Sequence, residues 1–380
     1  MKLIHYLSLF MICLSCGASL GARGEDAALH SPAAPAGSHA NPSGALSYAQ
    51  QAGLAVATLQ TWYSQTTGLY ASPAGWWHSA NAITVLADYA RVTGDRTYDP
   101  VIANTFTAAQ KTRANFLNDY FDDDGWWALA WIDAYDLTGN RAYLSMSETI
   151  FSAIATNGWN TKVCGGGVWW SVRKSYKNAV PNELFLDIAA KLANRTSGAA
   201  SAAYLHWANQ EWAWFKASGM INGESLINDG LVSTNPRACV NNGGTTWTYN
   251  QGVILGGLVE LSRADHDPTL LTEAQSIANA AIAHLSSHGI LIEAARIGGG
   301  DAPQFKGIFM RNLMALYGAL PAAQAAPYKA FADANAASIW TRDRGPANQL
   351  GCYWQGPFDA GDGTRETSAL DALIAAAAMQ

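Results

Sequence analysis

The sequence predicts an all-α fold, an (α/α)6 barrel, on three observations. Six Trp- or Gly-rich segments each precede an alanine-rich helical run, more polar helical runs lie between them, and stretches with strict strand alternation are scarce. The first unit opens on Trp76-Trp77 before 80–92, and the second on Trp126-Trp127 before 128–137. The third is Gly165-Gly166-Gly167-Val168-Trp169-Trp170 ahead of 182–192, and the fourth Trp247-Thr248-Tyr249-Asn250-Gln251 before 252–261. Phe305-Lys306-Gly307 precedes 308–317, and Glu366-Thr367-Ser368 precedes 369–379. Markers at Trp77, Trp127, Asn182, Trp247, Ile308 and Thr367 stand 50, 55, 65, 61 and 59 residues apart, which is room for two helices per unit. The polar partners, at 45–63, 142–156, 200–217, 272–286 and 322–339, suit an outer ring. Gly94 and Gly139 each stand where a left-handed residue ends a helix. Units of this kind bury their apolar faces against neighbours, in a closed toroid or an open solenoid. Six units and the lack of a polar cap at either end favour closure.

Residues 45–380 are expected to be a single domain, since 49% hydrophobic and 14% charged residues allow a large core. Lys2, an apolar stretch at 3–14 and small residues at 15–22 read as an export leader, cleaved after Gly21. Residues 23–44, rich in Ala, Pro, Gly, Ser and His, read as a disordered linker. The implied location is secreted, with the periplasm or cell surface as variants. Cys16 is a poor lipid acceptor behind Cys13-Leu14-Ser15, no transmembrane helix is expected, and the closing run 369–379 is too short, with Asp371 wrongly placed, for a lipid-anchor tail. A net charge of −6 and a pI near 5.7 supply no basic face for nucleic acid or anionic lipid. Cys164, Cys239 and Cys352 remain after the leader, enough for one disulfide in any of three pairings. Neither cysteines nor histidines show metal-ligand spacing, and no phosphate-cradle or serine-elbow motif is present, so neither metal nor cofactor is expected.

Chemistry concentrates at Asp122-Asp123-Asp124-Gly125-Trp126-Trp127. Glycoside hydrolysis uses two carboxylates about one bond, and aromatic faces stack on sugar rings. Adjacent acids converge only where the backbone is irregular, as at a helix start. The same acids also suit helix capping and the helix dipole. Trp126, Trp127, Trp169, Trp170 and Trp247 either stack on sugar or wall the barrel. Asn178, Asn182, Tyr249, Asn250 and Gln251 either bind hydroxyls or cap helices. Asp229 is a turn residue or a sugar ligand, and Lys306 and Arg311 bind substrate or pair with an acid such as Glu183.

Five motifs carry a family resemblance. They are Asp122-Asp123 two residues before Trp126-Trp127, Cys164-Gly-Gly-Gly-Val-Trp-Trp170, Tyr176-Lys-Asn-Ala with Asn182-Glu-Leu-Phe185, Trp247-Thr-Tyr-Asn-Gln-Gly252, and Phe305-Lys-Gly-Ile-Phe309-x-Arg311. In this order, from about residue 46 to the end, they resemble glycoside hydrolase family 76. The resemblance implies an (α/α)6 barrel and endo-acting, retaining hydrolysis of α-1,6-linked mannan. It also implies Asp122 as nucleophile and Asp123 as acid/base, although adjacency alone would equally admit Asp123 and Asp124. The expected partner is an α-1,6-mannan polysaccharide or oligosaccharide. Two further readings are a transglycosidase, which resolves the same intermediate with a sugar hydroxyl, and a mannan-binding protein without activity.

Overall fold

The computed structural model of the protein describes residues 45–235, 238–293 and 300–380. The leader and linker expected at 1–44 lie outside the described residues.

Twelve α-helices are present among the described residues. In chain order they are α1 (Tyr48–Leu59), α2 (Trp76–Thr93), α3 (Asp99–Ala108), α4 (Phe121–Thr138), α5 (Arg141–Asn157) and α6 (Ala179–Arg195). They continue with α7 (Gly198–Ser218), α8 (Thr248–Asp265), α9 (Thr269–His284), α10 (Phe305–Ala319), α11 (Ala322–Arg342) and α12 (Gly363–Ala378). The even-numbered helices form the inner ring. Each packs on the next, α2 on α4 and so round to α12, and α12 packs back on α2, so the ring closes. The odd-numbered helices lie outside, with α1 on α12, α5 on α4, α7 on α6, α9 on α8 and α11 on α12.

Burial separates the two rings. Every residue of α8 from Thr248 to Leu261 is buried, whereas α7, three residues longer, buries only Ala208, Glu211, Trp212 and Phe215. An all-round apolar helix belongs inside and a one-stripe helix outside. Small residues let the inner helices approach closely: a Cβ on Gly252 would lie 2.6 Å from Phe309 Cα, so α8 and α10 meet backbone to backbone there. Gly94 and Gly139 end α2 and α4 at φ 77° and 70°, the left-handed geometry expected of them.

The inner helices begin earlier than the sequence reading set them. α6 starts at Ala179 and α12 at Gly363, so the polar residues read as preceding loop form the first helical turn. α3 adds an outer helix with Pro100 at its start, and three two-stranded hairpins join helices: β1 (Tyr63–Ser64) with β2 (Leu69–Tyr70), β3 (Leu231–Asn235) with β4 (Ala238–Asn241), and β5 (Ser286–Ser287) with β6 (Ile290–Leu291). Of the three possible disulfides, Cys164–Cys239 forms, tying the loop before α6 to β4, and Cys352 stays a buried thiol. No described helix is long and apolar enough to cross a membrane.

Candidate active site

The first turns of the inner helices open onto one mouth of the ring. A cavity of about 340 Å³ there is lined by Trp77 of α2, Asp122, Asp123 and Trp126 of α4, Val180 of α6, Tyr249 of α8 and Phe305 of α10, with Tyr120, Trp170 and Asp301 from loops. The far halves of the same helices enclose a second cavity, lined by paired charges that include Asp88, Asp133, Lys191, Arg195 and Glu260. The first cavity is an aromatic cup that holds three acids, Asp122, Asp123 and Asp301. Trp77 stacks on Trp126 with ring centres 5.7 Å apart, Tyr249 lies 4.0 Å from Phe305, and Tyr120 lies 5.0 Å from Trp170.

Asp122 and Asp123 sit in the first turn of α4, where free N–H groups and the helix dipole favour negative charge. Trp170 Nε1–H donates to Asp122 Oδ2 at 2.9 Å, and the Asp123 N–H donates to Asp122 Oδ1 at 3.1 Å. Asn118 organises the turn. Its Nδ2 donates to Asp123 Oδ2 at 2.5 Å, its Oδ1 accepts from Tyr120 N at 2.6 Å, and its own N–H donates to Asp124 Oδ1 at 2.8 Å. Asp124 turns away from the cup and is 2% exposed, so its carboxyl serves the backbone of the turn.

Burial raises all three acids. Asp122 is pushed well above the usual carboxylate range by burial and then by the charge of Asp123, against the Trp170 donor. Asp123 rises to about 6, by burial first, with the Asn118 donor opposing and Asp301 adding repulsion. Asp124 rises to about 8, again chiefly by burial. Two acids this close titrate as a pair, and a proton on either one relieves the other.

Of the residues expected to meet substrate, Asp122, Asp123, Trp126, Trp170 and Tyr249 come together at the cavity. Trp247 and Asp229 stand behind its rim: Asp229 accepts from Trp247 Nε1 at 3.1 Å and from the Tyr176 hydroxyl. The others are interior. Trp127 has no exposed surface and packs on Trp76, Phe116 and Trp131. Asn182 grips the backbone of Val168, with Oδ1 accepting at 2.6 Å and Nδ2 donating at 3.0 Å, and Asn178 precedes the first residue of α6. Asn250 is fully buried within α8. Lys306 donates to the Cys352 carbonyl at 2.7 Å over the Trp354 ring, and Arg311 pairs with Asp371 and Asn81 beneath Trp126, not with Glu183. Cations beside an aromatic motif looked sugar-facing, yet their partners come from segments far along the chain. Sequence reasoning missed Tyr120, Asn118 and Asp301, and used Trp77 only as a marker. The Trp76-Trp77 pair was the available signal for the last.

Comparison with known proteins decides the family. Residues 47–380 match glycosyl hydrolase family 76. The chain belongs to that family. Its fold is the family 76 barrel. Mannan endo-1,6-alpha-mannosidase DFG5 of Saccharomyces cerevisiae is 28% identical over 67% of this chain and 59% of its own. The protein of that name from Candida albicans is 26% identical over 61% of this chain and 55% of its own. The chain thus spans little more than half the length of these curated relatives. Among solved structures, the α-1,6-mannanase GH76A of Salegentibacter sp. HEL1_6, an inactive variant with two consecutive aspartates replaced and bound to α-1,6-mannotriose, superposes with a TM-score of 0.79. It is 23% identical and covers 88% of this chain and 100% of its own.

Proposed function

We propose that this glycoside hydrolase cleaves α-1,6-mannan internally and with retention of anomeric configuration, Asp122 acting as nucleophile and Asp123 as acid/base. The observation that carries the reading is the meeting of Asp122 and Asp123, from one helical turn, in an aromatic cup from which Asp124 is turned away. The names of the family relatives support the substrate class.

The division of labour is carried over from the family pattern, and hydrogen bonding supports it against burial, which raises Asp122 well above the usual carboxylate range and Asp123 to about 6. Asp122 receives a donor on each oxygen, which favours its ionised form once Asp123 holds the proton. In the first step an Asp122 oxygen bonds to the anomeric carbon as the glycosidic C–O bond breaks, and the Asp123 proton passes to the leaving oxygen. In the second, Asp123 takes a proton from water as that water attacks the anomeric carbon and releases Asp122. Trp170 fixes Asp122 through its N–H while presenting a half-open ring face, so one residue serves both acid and sugar. The Cys164–Cys239 bridge supports an oxidising compartment, consistent with export of the chain to meet an extracellular polymer.

Digestion of linear α-1,6-mannan with chain-length analysis tests the reading. Mixed short oligomers are expected early. Mannose alone contradicts endo action, the absence of new reducing ends contradicts hydrolysis, and products longer than the starting chains point to transfer.

A further inference from the structure

The reaction as proposed uses two of the three carboxylates that line the mouth and leaves Asp301 without a task. Asp301 stands just before the turn Ala302–Gln304 that leads into α10, with its side chain 63% exposed. Trp77, from the first turn of α2, holds it, and His78 of the same turn faces it. Trp77 Nε1–H donates to its Oδ1 at 3.1 Å, and His78 Nε2 lies 3.4 Å from the same oxygen. The other ring nitrogen sets the tautomer: His78 Nδ1 accepts from the Gly75 N–H at 3.1 Å, so the neutral ring carries its proton on Nε2, facing Asp301. Burial keeps that ring neutral, lowering His78 to about 4 against the charges of Asp301 and Asp362. Trp77 also stacks on Trp126, one turn beyond Asp122 and Asp123, so the anchor of Asp301 is tied to the helix that carries them.

The groups that face Asp123 are Asp122 and Asp124 from its own helix, Arg113 and Asn118 from the segment before it, and Asp301 from across the cup. No cation is among the residues lining the cavity. We propose that Asp301 is a positioning residue for the proton of the reaction: held by Trp77 at the cavity that Asp123 also lines, its carboxylate opposes ionisation of Asp123 and so sets the pH at which the acid/base stops working. The proposal rests on the reading of Asp123 as acid/base.

Asp301→Asn keeps an oxygen for Trp77 and removes the charge. Its kcat/KM profile on linear α-1,6-mannan is expected to lose the basic limb at a pH lower by about 0.5–1 unit, the scale of one charge acting across a partly wet cleft. Asp301→Glu should return the limb toward that of the parent. A purely structural role would lower the rate at every pH and leave the limb in place, and an unmoved limb in the active Asp301→Asn enzyme overturns the proposal. Should the parent enzyme fail to cleave α-1,6-mannan, the substrate reading falls while this proposal remains open to direct titration. With 13C-labelled aspartate, the Asp123 carboxyl resonance, assigned by its loss in Asp123→Asn, should titrate at lower pH in Asp301→Asn. An identical midpoint in both proteins overturns it.

Discussion

At the residue scale the account separates three consecutive acids by what each one touches. Asp122→Asn removes the nucleophile and is expected to abolish turnover on every substrate, while Asp123→Asn should still form the glycosyl-enzyme from an activated aryl mannoside, whose leaving group needs no proton. Steady-state assays on polymer and aryl mannoside read the difference, and equal loss on both contradicts the split. Asp124, raised to about 8, is largely protonated near neutrality, and Asn keeps an oxygen for the Asn118 N–H. Asp124→Asn is therefore expected to retain activity and lose no more than about 1 kcal/mol, the usual net worth of one hydrogen bond, which a thermal melt and one assay check. Trp170→Phe keeps a ring at the rim and removes the donor to Asp122. A bond to a charged group is worth roughly 1.5–3 kcal/mol, so kcat should fall roughly 10- to 100-fold with little change in melting temperature. The acid pair and its aromatic neighbours were legible in the sequence because the chemistry needs that spacing in a single turn. Asp301 was not legible, since a lone acid after a glycine run carries no pattern, and Asn118 acts through bonds to three separate residues that only the folded turn brings together.

At the element scale, the first turns of α2, α4, α6, α8 and α10 serve both the core and the mouth, and that is why the sequence set the helix starts late. Trp76, Asp122, Asn178 and Glu366 are polar or bulky residues of the kind that read as loop, yet they begin or flank helices whose remaining turns are buried. α3 was missed for a different reason: Pro100 reads as a breaker, although proline is well placed in the first turn of a helix. Trp126 and Trp127, adjacent in the same helix, face different neighbours, one the cup and the other Phe116 and Trp131. Trp127→Ala should accordingly cost about 3–5 kcal/mol of stability, with polymer affinity unchanged in the fraction that stays folded, as denaturant melts and binding titrations would show. The Cys164–Cys239 bridge joins residues 75 apart, and loop-closure entropy puts its worth at roughly 4 kcal/mol. Reduction under native conditions is expected to lower the melting temperature by several degrees, and an unchanged melt would show that the loop before α6 and the β3–β4 hairpin are held by packing alone.

At the scale of the whole molecule, closure of the ring was read from six units and the want of capping ends, and the packing of α12 on α2 supplies it. The sequence could not show how much charge the closed ring holds inside. Asp187 and Asp371 rise to about 7 chiefly by burial, as does Asp343, and Asp124 to about 8. A carboxyl raised in the fold contributes stability fully below its unfolded value near 4 and loses it as pH rises through the folded value. Asp133 and Glu260 run the other way. Burial raises them, but Lys191 and Arg91 around Asp133, and Arg195 and Lys191 around Glu260, lower both overall, so their contribution is lost only as pH falls below about 4. The melting temperature should therefore be highest near pH 4 and fall progressively from there to about pH 8, and a rise across that interval in a calorimetric series contradicts this balance. Activity is expected to share the acid side, because Asp123 at about 6 must hold its proton to protonate the leaving oxygen. The most direct test of the central claim is the anomeric configuration of the first product, followed by proton NMR as linear α-1,6-mannan is digested. The account predicts α-configured reducing ends that appear first and mutarotate later, on oligomers of falling length, with no such signal from Asp122→Asn. Initial β-configured ends, or cleavage that survives in Asp122→Asn, would contradict it.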